Sequence, residues 1–337
     1  MRRFAVVEPA SLGAATEILA VQGARALPLA GGIDLLGELK DGIARPETLV
    51  NLKAIRELEY VRFDPDGTLR LGALATLTAV AEDGRVRRDF PAVAQAAWSV
   101  GSPEIRNVGT VGGNLCQRPR CWYYRSPLHP CLKKGGDVCF TTLGNSRYHA
   151  ILGGGPSFIV HPSDLAPALI ACDARVIVAG PSGRKDIPLE KFYVLPKVRL
   201  DHETILKAGE IVAEVVVPPA ASTASGMKSL FIKVREKDSF DFALASVAAA
   251  LRMDGAICGA ARVVLGGVAP VPWRSDEAER AVTGKSIDVP AAAQAGRAAL
   301  KDASPLPHNG YKVPLAAALV QRALLDLSGR GREPVPA

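Results

Sequence analysis

Residues 101–139, GSPEIRNVGTVGGNLCQRPRCWYYRSPLHPCLKKGGDVC, restrict the possible folds more than any other stretch of the chain. Gly109, Gly112 and Gly113 stand there among small and β-branched residues. Such a backbone can turn tightly and bring several N–H donors against a ligand with no Cβ in the way, as a phosphate or cofactor cradle does. Four of the six cysteines, Cys116, Cys121, Cys131 and Cys139, follow at once. Whatever the cradle holds therefore lies close in sequence to a soft-metal site. Two cofactors side by side point to electron transfer.

The segments before this stretch read as a small α/β unit. Leu12 to Val21 has helical apolar spacing with Ser11 as its N-cap, Ala26 to Ala30 reads as a buried strand, Gly31-Gly32 as a turn, Asp34 to Lys40 as a helix and Thr48 to Leu52 as a strand. A strand running into two glycines and a helix start is a second place where free N–H groups can meet a phosphate. From Tyr60 a hairpin is expected, turning at Asp64-Pro65-Asp66-Gly67 and returning through Leu69 to Ala73. Thr76 to Ala81 and Pro91 to Val100 read as helices around a charged surface stretch, Glu82 to Arg88, and Gly101 to Asn114 as a loop in which Arg106 has the look of a surface ion-pair partner.

With 337 residues, 48% hydrophobic and 22% charged, the chain can build two or three domains with real cores. Its net charge of +7 is scattered, and no basic run alternates with aromatics as on a nucleic-acid surface. No apolar run reaches the ~20 residues of a membrane span. The N-terminal MRRFAVVEPAS has too few apolar residues for a signal peptide.

The loop cysteines follow the spacing C-x4-C-x9-C-x7-C, whereas Cys172 and Cys258 lie in apolar settings and read as plain buried residues. Disulfides suit an oxidising compartment, which the lack of a signal peptide argues against. A four-thiolate zinc ribbon usually has C-x2-C knuckles, absent here, while a cubane iron–sulfur cluster accepts looser spacing. Trp122, Tyr123 and Tyr124 could exclude water from such a cluster, and Arg118, Arg120, Lys133 and Lys134 could offset its negative charge.

LAGGIDLLGELK at 29–40, LGALATLTAV at 71–80, GSPEIRNVGTVGGN at 101–114, HPSDLAPALIACDA at 161–174, FIKVREKDSFDFALASVAAAL at 231–251 and LGGVAPVPWR at 265–274 occur in this order. Together they resemble the FAD-binding subunits of molybdenum-containing hydroxylases, the xanthine dehydrogenase and aldehyde oxidoreductase group. NLCQRPRCWYYR is similar to the aldehyde oxidoreductase branch, whose loop holds an extra 4Fe-4S cluster.

The resemblance implies an α+β chain: a two-part FAD-binding domain of the vanillyl-alcohol-oxidase/CO-dehydrogenase flavoprotein type, at 1–56 and 57–186 with an iron–sulfur loop at 115–150, then a C-terminal α+β domain at 187–330. It implies that Leu29, Ala30, Gly31, Gly32, Ile33 and Asp34 wrap the FAD pyrophosphate, that Thr110, Val111, Gly112, Gly113 and Asn114 form a second backbone cradle, and that Val100, Gly101 and Asp164 contact the cofactor. Val212 and Lys233 match later contacts, Lys233 near the isoalloxazine. Ile33 stands where the family has Thr in a GGT turn, and Ser157 where related sequences often carry a cysteine. The cluster ligands are accordingly expected to be Cys116, Cys121, Cys131 and Cys139, with Ser157 as the alternative to Cys116.

The implied partners are a molybdenum-cofactor large subunit, a 2Fe-2S small subunit and an external electron acceptor, in the cytoplasm or in the periplasm if a partner carries the export signal. No Ser-His-Asp set, carboxylate pair or HExxH stands in a convincing context, and His129, His149 and His161 read as structural. A zinc-stapled binding protein and a stand-alone FAD oxidase are the competing readings. Beyond 186 the pattern is RVIVAG and GRKDIPL as strands, Glu210 to Val217 as another, Lys233 to Leu251 and Ala261 to Val268 as β-rich, helices at Ser275 to Val282, Pro290 to Asp302 and Val313 to Leu327, and a tail, GRGREPVPA.

Overall fold

In the computed structural model, which describes residues 2–237 and 240–331, the chain builds three sheets. The N-terminal unit consists of β1 (Ala5–Val7), α1 (Leu12–Gln22), β2 (Ala26–Leu29), α2 (Leu35–Lys40) and β3 (Thr48–Asn51), with β3 between the other two strands and all three parallel. Ser11 caps α1 as expected, accepting the Ala14 N–H at 3.2 Å, an arrangement worth ~1 kcal/mol. Leu12, Ala15 and Leu19 of α1 share one buried cluster with Val50, Ala179, Ile211 and Ala213, so the small unit is packed onto the next sheet.

That sheet belongs to β4 (Val61–Phe63), β5 (Leu69–Gly72), α3 (Leu77–Glu82), α4 (Gly84–Asp89), α5 (Pro91–Trp98), α6 (Pro103–Val108), α7 (Val111–Leu115), α8 (Trp122–Arg125), α9 (Leu165–Ala171), β6 (Arg175–Gly180), β7 (Gly183–Pro188) and β8 (Ile211–Val217). Its order is β4-β5-β8-β6-β7, antiparallel throughout. The middle strand β8 comes from beyond residue 187, where a C-terminal domain was expected to begin, so this sheet draws on the chain as far as Val217.

Two local expectations are corrected. The charged stretch after Glu82 is the helix α4, because Asp83 caps it by accepting the N–H groups of Arg85 and Val86 at 2.9 Å and Val86 is buried beneath. Residues 101–114 are not a loop but the helices α6 and α7, started by Pro103 and by the Thr110 side chain.

The third layer is β9 (Met227–Val234), β10 (Ala245–Asp254), β11 (Ile257–Gly266) and β12 (Trp273–Arg274), antiparallel, followed by α10 (Asp276–Val282), α11 (Val289–Ala299) and α12 (Lys312–Leu327). Strand β10 is apolar at successive positions because both faces are covered: Val247, Ala249 and Leu251 meet the three helices, while Ala248 meets the core under α5 and α9. Cys172 and Cys258 are buried, as expected. Asp238 and Ser239, within the β-rich stretch expected at 233–251, and the part of the expected tail from residue 332 onward lie outside the described residues. No helix among the described residues is long and apolar enough to cross a membrane.

Lys312, at the start of α12, is fully buried and donates to the carbonyls of Tyr148 at 3.0 Å and Gly267 at 2.8 Å. Burial pulls its pKa down to about 7. A lysine with a lower pKa in the folded state binds fewer protons there, so its destabilising effect is complete below pH 7 and fades as the pH rises toward the unfolded value of ~10.4. Stability of the wild-type chain is therefore expected to climb from pH 7 to 9.5, by at most ~1.4 kcal/mol per pH unit, relative to Lys312→Met. Urea midpoints for both chains across that range check this, and parallel curves would refute it.

Candidate cofactor and metal site

The first glycine bend leaves β2 at Leu29 and enters α2 at Leu35. Gly32 has φ +75°, which favours glycine there. Among the described residues no acceptor takes the N–H groups of Gly31, Gly32, Ile33 or Asp34. A Cβ on Gly31 would lie 2.2 Å from the Val108 carbonyl oxygen and 3.3 Å from the Gly109 Cα. The two bends are thus in direct contact, and the bare backbone of one makes the approach possible.

The second bend does not offer the donors expected of it. Val111 and Gly112 donate to the carbonyls of Ala75 and Ala73 at 2.9 and 2.8 Å, Gly113 to the Thr110 hydroxyl at 3.1 Å and Asn114 to the Thr110 carbonyl at 2.8 Å. These residues start and anchor α7 instead of presenting an open cradle. Gly112 is needed for the same packing, since its Cβ would stand 3.1 Å from Ala73. Asn114 is also structural, accepting the Ser163 hydroxyl at 2.6 Å and so tying α7 to the segment before α9.

Lys233 of β9 and Asp164 meet at 2.6 Å, both side chains almost wholly buried, and Lys233 also donates to the Ser99 carbonyl at 3.1 Å. Burial pushes the Asp164 carboxyl above the usual range against the pull of Lys233. The pair borders an open cleft of about 380 Å³ lined by Gln95, Ser99, Phe231, Lys233, Val234 and Arg235. Arg106 is no surface ion-pair partner: it is buried, lies 4.6 Å over the Trp98 ring and donates to the carbonyls of Val100 at 3.2 Å and Gly101 at 3.4 Å. It thereby orients the turn that carries two expected cofactor contacts. Val212, expected as a later contact, is 3% exposed, pairs with Val178 and lies in the core of the five-stranded sheet.

Three of the four expected ligands converge. Cys121, Cys131 and Cys139 line one small pocket together with Ser157, Tyr123 and Tyr124. Cys116 does not line it; it caps the end of α7 near Tyr193, with its thiol pushed up to about 12 by burial. Ser157, expected as the alternative to Cys116, does line the pocket and is 2% exposed. Burial, then the neighbouring Cys131 and Cys139, raise the Cys121 thiol to about 11. Among the described residues no three His, Cys, Asp or Glu side chains come together as one metal ion requires.

The cations around the loop have another task than the one expected of them. Asp34 accepts the Arg118 N–H at 2.6 Å, Arg120 at 3.1 Å and Arg125 at 2.6 Å, while Glu203 pairs with Arg118 at 2.8 Å and Lys133 at 2.7 Å. Arg118, Arg120 and Lys133 are therefore neutralised by carboxylates, because buried cations require partners. Asp34 is the unforeseen element: its carboxylate fastens the cysteine loop to the first bend. The signal was available as Asp34 and Glu38, four apart on one helix, against arginines at 118, 120 and 125. Tyr124 is buried and donates to Glu38 at 2.5 Å, but Trp122 is 40% exposed and shields little. His149 places Nε2 3.2 Å from the Cys121 sulfur, and burial followed by Lys312 holds its imidazole down to about 4. His161 is buried against the Tyr193 ring at 4.6 Å.

A family model described as the FAD binding domain in molybdopterin dehydrogenase matches residues 2–220, and one for the CO dehydrogenase flavoprotein C-terminal domain matches residues 230–327. The chain belongs to the FAD-binding medium subunits of the molybdenum hydroxylases. It is 39% identical over 254 residues to the aldehyde oxidoreductase FAD-binding subunit PaoB of Escherichia coli, covering 74% of this chain and 77% of that protein. It is 28% identical to the carbon monoxide dehydrogenase medium chain of Hydrogenophaga pseudoflava over 96% of each chain. A solved structure of carbon monoxide dehydrogenase from that organism superposes with a TM-score of 0.78 at 27% identity, covering 98% of this chain and 99% of the other.

Proposed function

We propose that this chain is the electron-transfer subunit of a molybdenum hydroxylase of the aldehyde oxidoreductase type, holding FAD and an iron–sulfur cluster. The observation that carries the reading is the run of unpaired N–H groups at Gly31 to Asp34, set against the second bend and fastened by Asp34 to a pocket of three cysteines. A diphosphate fits such a run, since backbone donors without a Cβ approach it closely. Leu29 to Asp34 would hold the pyrophosphate, and Val100, Gly101, Asp164 and Lys233 would border the flavin. Thr110 to Asn114 would support this site through packing, and Val212 through the sheet beneath. Cys121, Cys131 and Cys139, with Ser157 at the fourth corner, would hold a 4Fe-4S cluster.

Bound FAD would supply the chemistry of gathering electrons from a 2Fe-2S subunit and releasing them to an external acceptor. Lys233 places positive charge beside the cleft, and Asp164 keeps it there. The substrate-transforming centre would belong to a molybdenum-cofactor large subunit, in keeping with the subunit names of the relatives. Residues 1–56 and 57–217 would form the two FAD-binding parts, and 227–327 the C-terminal domain.

The purified chain is expected to be yellow-brown, with flavin that bleaches on dithionite and with protein-bound iron. Cys131→Ser should lose most of the iron and Cys116→Ser should keep it. A preparation with no flavin overturns the FAD assignment. Equal iron loss in both variants overturns the ligand set.

A further inference from the structure

We infer that His149 donates a hydrogen bond from Nε2 to the Cys121 sulfur and thereby sets the potential of the cluster held beside it. The inference rests on the cluster reading above. The Nε2 to Sγ distance is 3.2 Å, which leaves no room for an iron between the two atoms, and the pocket is lined by Ser157 but not by His149. His149 therefore stands behind Cys121 as a positioning residue and not beside it as a ligand.

The tautomer follows from what surrounds the ring. Nδ1 is buried with no well-aligned partner, and the Ser146 carbonyl beside the ring, which accepts the His149 backbone N–H at 3.0 Å, offers it only a weak second bond. A neutral imidazole carries one N–H, and placing it on Nδ1 would leave that donor poorly aligned and set the bare Nε2 lone pair against the sulfur. Placed on Nε2, it points at a sulfur. An iron-bound thiolate sulfur carries no proton and can only accept.

The ring is also held in place. Asn309 donates to the carbonyls of His149 at 3.0 Å and Ala150 at 3.1 Å, Lys312 donates to Tyr148 at 3.0 Å, and the ring stacks on Tyr123 at 6.1 Å with Trp122 at its edge. Asn309 and Lys312 lie at and just before the start of α12, so the C-terminal layer fixes the donor that faces the cysteine loop. A hydrogen bond to a cluster sulfur draws off negative charge, favours the reduced form and raises the potential.

The test is a potentiometric titration of the iron-loaded full chain, followed by electron paramagnetic resonance. At the potential where half of the wild-type cluster is reduced, the reduced-to-oxidised ratio in His149→Phe is expected to fall about tenfold, a shift of about 59 mV for one electron. His149→Gln, which keeps a donor, should recover part of it. In wild-type chain labelled with ¹⁵N-histidine, the reduced cluster should show the weak nitrogen coupling of a hydrogen-bonded ring. An unchanged midpoint in iron-loaded His149→Phe overturns this inference alone, as does a wild-type spectrum with no histidine coupling or with coupling as strong as that of an iron-bound nitrogen. A chain that binds no iron overturns the cluster reading and this inference with it.

Discussion

Lys233→Met is expected to destabilise the folded chain by about 3–5 kcal/mol, the largest effect of any single change considered. Lys233 and Asp164 meet at 2.6 Å with side chains 5% and 6% exposed, so removing the ammonium leaves a carboxylate that water cannot reach. Desolvation already pushes that carboxyl toward its neutral form. Burying the pair carries a desolvation penalty, yet breaking it is costlier, because the remaining charge loses its compensation. Asp164→Asn combined with Lys233→Met should therefore regain much of the loss, which a sum of two independent deletions would not. Urea unfolding of the two single variants and the double variant measures the coupling. A Lys233→Met chain within 1 kcal/mol of wild type would show that the pair is solvated.

Gly31→Ala should abolish flavin retention while leaving a folded chain. The added Cβ would stand 2.2 Å from the Val108 carbonyl oxygen and 3.0 Å from its carbon, contacts that backbone cannot relieve by turning a rotamer. The two bends must separate, at a cost of about 1–3 kcal/mol in stability. The N–H groups from Gly31 to Asp34 then lose their common alignment, and affinity for FAD is expected to fall at least about tenfold. Gly84→Ala is the control, since nothing lies within 4 Å of its Cβ position in α4. Flavin absorbance after gel filtration reads the outcome, and full flavin content in Gly31→Ala would place the diphosphate elsewhere.

Local signals in the chain were read correctly where one residue type does one job. Ser11 caps α1 through its hydroxyl, and the Asp64 to Gly67 turn closes the β4-β5 hairpin. The reading failed where a partner distant in sequence decides. Gly112 reads as a ligand cradle, yet its N–H is claimed by the Ala73 carbonyl, in the turn just after β5. Cys116 was expected ahead of Ser157, but 40 intervening positions fold back to bring serine, and not the nearer cysteine, to the pocket of the other thiols.

The amino-acid sequence by itself determined the element types, the family and the first glycine bend, since caps, turn residues and motif order act over a few positions. Only the tertiary structure decided which N–H groups remain free, which three cysteines share a pocket and that Asp34 binds the arginines of the cysteine loop. Those outcomes depend on hydrogen-bond and charge partners lying from about 30 to more than 80 residues away. Buried polar groups must find such partners in the packed interior, and which ones lie within reach is set by the packing of the whole chain.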